Sequence, residues 1–254
     1  MTPGNNSPVS ERIFAWVPFI ISAALVATAV HFAVQSPVLG LVLAELSLVL
    51  LIPQFLHRRK LRRVLRSGDV DAVLSAWEAS VERVPHPETM TPLITATALA
   101  AHGMVERARR AIQRARRGPA WEAAIEQRLV LETLLSVFDG DTSRALQSAD
   151  ALSLLPLPAS PLLRGRVAAL RGAMAAFARA FAHCSRMTDL ATLKAAARAN
   201  PLVFWAMRYA AAVVSIDHGA PGEAARLLSG APHWPRESAL AAFHEEIRSH
   251  AAPG

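Results

Sequence analysis

The sequence predicts an all-α chain that begins with a membrane hairpin, and three observations carry that reading. Two long apolar runs lie before residue 57, a dense basic cluster follows them at once, and the remainder repeats a helix–turn–helix pattern closed by proline. After Leu61 no stretch alternates apolar and polar residues as a half-buried strand would, and no Asn-Gly or Asp-Gly turn joins β-branched runs. Residues 1–12 read as a disordered tail, 13–56 as a transmembrane helical hairpin, and 57–254 as a helical-repeat domain ending in a capping helix.

The first predicted span, Ile13 to Val34, holds no ionised side chain. As an α-helix it would extend about 33 Å, slightly more than a hydrocarbon core of about 30 Å. Trp16 stands near one end, where an indole favours the interface. The second, Val38 to Leu56, carries Glu45 in its middle. A charged acid at that depth costs roughly 2.5–3.5 kcal/mol on insertion scales, which the surrounding Leu and Val residues offset. Only Gln35, Ser36 and Pro37 separate the two runs, so they are read as antiparallel neighbours. Reflection about Ser36 sets Glu45 opposite Thr28, whose hydroxyl is the candidate partner for a protonated acid. A docking point for another membrane protein and a proton or ion path are the other roles weighed for Glu45.

Sidedness follows from the flanks. Arg58, Arg59, Lys60, Arg62, Arg63 and Arg66 follow the second span directly, and the hairpin loop has no charge. Lys and Arg beside a span tend to stay in the cytoplasm, so both termini are expected there. The Ala- and Arg-rich composition points to a bacterial source, hence to a multi-pass protein of the inner (cytoplasmic) membrane. Ala27-Thr28-Ala29 resembles a signal-peptidase site, but Glu11 cancels Arg12 in what would be the positive n-region. Cleavage there would leave the second span and its basic flank in place.

Hydrophobic residues make up 52% of the 254, with the surplus largely before residue 57. The roughly 190 residues that follow suffice for one domain with its own core. The net charge of +7 comes almost wholly from arginine, since Lys60 and Lys194 are the only lysines. Such a balance favours anionic surfaces: lipid head groups, acidic proteins or nucleic acid. Tyr209 is the only tyrosine and no aromatic stacking platform is evident, which argues against nucleic acid. Cys184 is the only cysteine, so no intrachain disulfide forms.

The repeat is clearest around Gly103. Ala108 follows at +5, Ile112 at +9, Ala115 at +12 and Pro119 closes the unit, with Ala96 seven residues before the glycine. The grammar recurs at Gly140 (Ala145, Ala149, Pro156), at Gly219 (Ala212, Ala224, Leu228, Ala231, Pro235) and in part at Gly68 (Trp77, Pro85). Arg164 to Pro201 fits a degenerate unit with His183–Met187 as its turn. Small residues let two antiparallel helices approach closely, and a tight turn favours glycine.

This spacing resembles the tetratricopeptide repeat over about residues 60 to 236. It departs from that pattern in its longer periods, in mostly lacking the Trp and Tyr positions, and in placing Thr95 and Glu132 where apolar residues belong. The resemblance implies a tetratricopeptide-like α-solenoid. The first helix of each unit would line a concave surface, turning Gln127, Val130, Leu134, Tyr209, Val213 and Ile216 inward, either as a peptide groove or as core. Pro235 to Ala251 reads as a terminal amphipathic helix with the stripe Leu240, Phe243 and Ile247. The second span is expected to run on, kinked at Pro53, into the first repeat.

Candidate chemistry is sparse. No glycine-rich phosphate loop occurs, and His244-Glu245 lacks the second histidine of a zinc-protease helix because Arg248 stands there. Cys184 beside His183 reads as a small buried apolar residue rather than a nucleophile. No catalytic residue, metal or cofactor is assigned. Arg107, Arg109, Arg110, Arg114, Arg116 and Arg117 wrap the face of one helix left free by Ala108, Ala111, Ile112 and Ala115. They are read as a solvated face or a contact for an anionic head group or acidic protein. The leading expectation is a non-enzymatic membrane adaptor or scaffold that recruits a protein partner at the cytoplasmic face. The alternative is an accessory subunit of a transport or secretion complex that uses Glu45, and Glu45→Leu separates the two.

Overall fold

The chain divides into two units, Met1–Lys60 and Leu61–Gly254. The structure, a computed structural model, describes residues 63–64, 66–81 and 84–251, all in the second unit. The predicted tail 1–12, both predicted spans, Thr28, Glu45, Arg58, Arg59, Lys60, Arg62 and all of the expected run-on except residues 63–64 lie outside the described residues.

The described residues are all helical, with ten α-helices, one 3-10 turn and no strand among them. The helices are α1 (Val70–Val81), α2 (Pro87–Ala101), α3 (Val105–Ala115), α4 (Ile125–Phe138) and α5 (Thr142–Leu154). They continue as α6 (Pro161–Phe181), α7 (Met187–Ala199), α8 (Phe204–Asp217), α9 (Pro221–Leu228) and α10 (Ala239–Ala251), with the 3-10 turn Pro201–Val203 leading into α8. Proline sits in the first turn of α2, α6 and α9, where its missing N–H costs nothing. Asp141 caps α5 by accepting from the Arg144 amide at 3.0 Å.

Helices α2–α3, α4–α5, α6–α7 and α8–α9 form successive antiparallel hairpins, and their first helices pack in chain order. Short turns require a left-handed residue, and Gly103, Gly140 and Gly219 supply it at φ +73°, +75° and +75°. His183 holds the equivalent place between α6 and α7 at φ +53°. Alanine fills the seams: Ala96, Ala108, Ala111, Ala115, Ala145 and Ala149 are all buried.

Helix α8 is the centre of the core. From Leu202 to Ser215 every residue is buried except half-buried Arg208. Among the described residues no single helix is long and apolar enough to cross a membrane. The α7 and Pro201–Asp217 segments reach that length only as a pair bent by 119°, and their hydropathy is that of a core.

The last elements return to the first. The Ser238 hydroxyl donates to the His102 carbonyl at 2.7 Å, and the Ala239 amide donates to the Gly103 carbonyl at 2.9 Å. The Trp205 indole donates to the Arg66 carbonyl at 2.7 Å. The terminal helix starts at Ala239, four residues later than the sequence suggests, because 231–238 is a loop tied down by these bonds and by buried Trp234. Its stripe is the expected one, with Leu240 and Ile247 buried and Phe243 half-buried.

Candidate functional site

The six positions read as a groove face are largely interior. Val130, Leu134, Tyr209 and Val213 are buried, Ile216 is half-buried and Gln127 is exposed. Helix α10 packs on α8. Its Phe243 ring stacks 5.8 Å from Phe138 of α4 and lies 5.1 Å from Phe181 of α6. The Tyr209 hydroxyl joins α8 to the loop and to α10, accepting from Trp234 at 2.7 Å and meeting His244 Nδ1 at 2.8 Å. The chain thus supplies its own helix to this interior, and His244 is a structural hydrogen-bond partner.

The open concavity lies elsewhere. Helix α5 packs on α6 and α7 on α8, but α3 stands off α4, and a cleft of about 520 Å³ separates them. Arg109, Ile112, Gln113 and Arg116 share one face of α3 at i, i+3, i+4 and i+7. Arg128, Leu131, Glu132, Leu135, Ser136 and Asp139 do the same on α4. Asp141 and Arg144, at the start of α5, close one end, and Trp121, from the segment joining α3 to α4, closes the other. A shallower continuation runs from Glu132 and Arg144 past Gln147 to Ala151, so the concavity is elongated.

That joining segment is fixed by one glycine. The Ala120 amide donates to the buried Thr89 hydroxyl at 3.1 Å, and a Cβ on Gly118 would collide with Thr89. Trp121 is thereby held at the cleft mouth, with the Arg128 guanidinium 4.5 Å and that of Arg116 5.7 Å from its ring centre. Both lie within cation–π range.

The charges in the cleft are mostly paired. Arg109 meets Asp139 at 2.5 Å, Arg144 meets Glu132 at 2.6 Å, and Arg128 meets Glu122 at 3.2 Å. These side chains are substantially exposed, and such pairs contribute only about 0–1 kcal/mol each, so they exchange partners at little cost. Arg116 is exposed, and among the described residues it has no carboxylate partner; the same holds for Arg110, Arg114 and Arg117 on the outer side of α3. Arg107 differs, since it pairs with Asp71 at 2.5 Å. Its guanidinium holds the Asp71 carboxyl below the ordinary carboxylate value. The arrangement is an apolar floor of Ile112, Leu131 and Leu135 under a rim where the guanidinium groups of Arg109, Arg116, Arg128 and Arg144 alternate with the carboxylates of Glu122, Glu132, Asp139 and Asp141. Of these four guanidinium groups, Arg116 alone has no ion pair among the described residues.

Elsewhere, Arg63 and Arg66 are exposed. Cys184 is an exposed free thiol, not the buried apolar residue expected from sequence, because the His183 turn lifts it off α6. Beside it His183 Nδ1 meets Asp217 at 3.0 Å. Among the described residues no three His, Cys, Asp or Glu side chains gather as a metal site. The basic face of α3 was legible in the sequence, but Trp121, Arg128, Glu132, Asp139 and Arg144 were not. The one hint was Glu132, a charge at a position that should be apolar. No protein-family model, curated protein or solved structure matches the chain.

Proposed function

We propose that this chain is a membrane-anchored, non-catalytic adaptor. The hairpin 13–56 holds a tetratricopeptide-like array, 57–254, at the cytoplasmic face of a bacterial inner membrane. There the α3–α4 cleft takes an extended, acidic segment of a protein partner. The observation that carries the reading is Arg116, a guanidinium without a carboxylate, set beside Trp121 at the mouth of an elongated cleft with an apolar floor. Acidic side chains of a partner would take Arg116 and compete for Arg109 and Arg144, while an apolar side chain covers Ile112 and Leu135. Charged rims of this kind steer encounter and set specificity. The two apolar runs and the basic cluster at 58–66 support the anchored half of the reading.

A photo-crosslinking amino acid at Gln113, which lines the cleft, tests the binding surface in cells producing the full chain. The expected result is a discrete protein adduct that disappears with Arg116→Glu while the chain stays at its normal level. An adduct unaffected by Arg116→Glu, or the same adduct from a crosslinker at Thr192 on α7, would refute the cleft as the binding surface.

A further inference from the structure

Phe204, the first residue of α8, carries two guanidinium groups. The Arg66 Cζ lies over its ring at 4.5 Å from the centroid and the Arg208 Cζ at 5.2 Å, with Arg208 also 5.3 Å from the Trp205 ring. Two like charges held on one aromatic side chain repel unless an anion lies between or beside them. Among the described residues neither has a carboxylate partner. Glu223, on the neighbouring α9, is already engaged by Lys194 and Arg226. Arg208 spends one N–H on the Arg226 carbonyl at 3.3 Å, and its buried Nε finds no acceptor among the described residues. Burial and the Arg66 charge together push the Arg208 guanidinium below its ordinary value, which is the signature of a cation short of counter-charge.

A guanidinium stacked on a ring keeps its edge N–H groups free, and those edges match a phosphate. The position is also suggestive of the source. Arg66 follows the end of the predicted second span, Leu56, by ten residues, and Arg58, Arg59, Lys60, Arg62 and Arg63 lie between. Lys and Arg clustered next to a predicted span in the sequence are the residues that attract anionic head groups. Two groups far apart in the sequence are locked together here, because the Trp205 indole holds the Arg66 carbonyl at 2.7 Å.

We infer that Arg66 and Arg208, set around Phe204, form a binding site for the phosphodiester of an anionic phospholipid head group. Basic residues near a membrane surface attract anionic lipid generally. This site adds a defined donor from α8, Arg208, beside Arg66 on the same ring. The inference rests on the membrane-anchored reading above, but not on the cleft.

The test uses the full chain purified in dodecyl maltoside, with thermal unfolding followed in the presence of dihexanoyl phosphatidylglycerol, dihexanoyl phosphatidylcholine or inorganic phosphate. A ligand that binds the folded state raises the midpoint by mass action. Phosphatidylglycerol should raise it and phosphatidylcholine should not. Arg66→Gln with Arg208→Gln should weaken the response about tenfold or more, the loss expected for charge-assisted hydrogen bonds, while Arg248→Gln, at an exposed position on α10, leaves it unchanged. Should the double variant fail to fold, Arg66→Gln alone, at an exposed position, is expected to weaken the response in the same direction. An unchanged response in the folded variants, or an equal rise with phosphatidylcholine, overturns the site. An equal rise with inorganic phosphate would make it a site for soluble phosphate and overturn the lipid assignment. Alkaline extraction of the membranes separates the two readings: a chain that washes off loses its anchor, while the phosphatidylglycerol response still decides the site.

Discussion

The Trp234 indole nitrogen lies 2.7 Å from the Tyr209 hydroxyl oxygen, and both residues are buried. An indole N–H only donates, so the phenol accepts from it, and the same hydroxyl hydrogen-bonds to His244 Nδ1 at 2.8 Å. Burial pushes the Tyr209 phenol well above its ordinary value, so it stays protonated and able to donate. This relay ties α8, the 231–238 loop and α10 together and closes the interior that the repeat pattern alone would leave open.

Tyr209→Phe should therefore destabilise the chain by about 1–3 kcal/mol, the cost of leaving buried polar groups without partners. Denaturant unfolding followed by tryptophan fluorescence measures it. A loss below about 0.5 kcal/mol would mean that Trp234 and His244 find other partners within the usual net worth of one hydrogen bond.

Gly103 and Gly140 share nearly the same backbone, φ +73° and +75°, but not the same surroundings. A Cβ on Gly103 would lie 2.7 Å from Ser238 Oγ and 2.8 Å from the Leu240 nitrogen, whereas one on Gly140 meets nothing within 4 Å. Both alanine variants carry left-handed strain of about 1–2 kcal/mol. Gly103→Ala should cost about 1–3 kcal/mol more, because overpacking pushes against the C-terminal loop. Equal losses in the two variants would contradict the contact between the α2–α3 turn and that loop.

Acid should weaken the fold in two steps. Buried His102 donates from Nδ1 to the Ala98 carbonyl at 2.8 Å, and its Nε2 has no partner. Burial lowers its proton affinity below the ordinary value of 6.5. The unfolded chain then takes up this proton first, so the contribution is complete above pH 6.5 and is lost as pH falls toward the depressed folded value. Asp189 is the second. Burial opposes its charge, but the Arg179 guanidinium at 2.6 Å and the Arg186 amide at 2.9 Å outweigh it and hold the carboxyl below 3.8. Its contribution is present above pH 3.8 and disappears as pH falls through the lowered value. Stability measured from pH 7 to 5 should decline less steeply in His102→Leu than in the parent chain. Parallel slopes would show that His102 is not the group responsible.

Local features of this fold were plain in the sequence, because they depend on neighbours in the chain. The turn glycines 103, 140 and 219, the alanine seams, the degenerate turn at His183 and the stripe Leu240, Phe243 and Ile247 all express short-range geometry. What the pattern did not reveal depends on distant pairs. Ser238 reaches His102 across 136 positions, and Trp205 reaches Arg66 across 139. The interior face was legible as a face, yet its occupant was not, since nothing in one dimension sets Phe243 between Phe138 and Phe181. The cleft was hidden for the same reason. Arg109 and Asp139 are 30 positions apart, and the close approach of Gly118 to Thr89 in the segment joining α3 to α4 is another distant pair that helix periodicity does not encode.

Protease added outside sealed spheroplasts that contain the full chain gives the most direct reading of the proposed arrangement. Residues 60–254 should survive intact and be degraded only after the membrane is opened. Their digestion in sealed spheroplasts would place the helical domain and its cleft on the outer face and contradict the cytoplasmic adaptor.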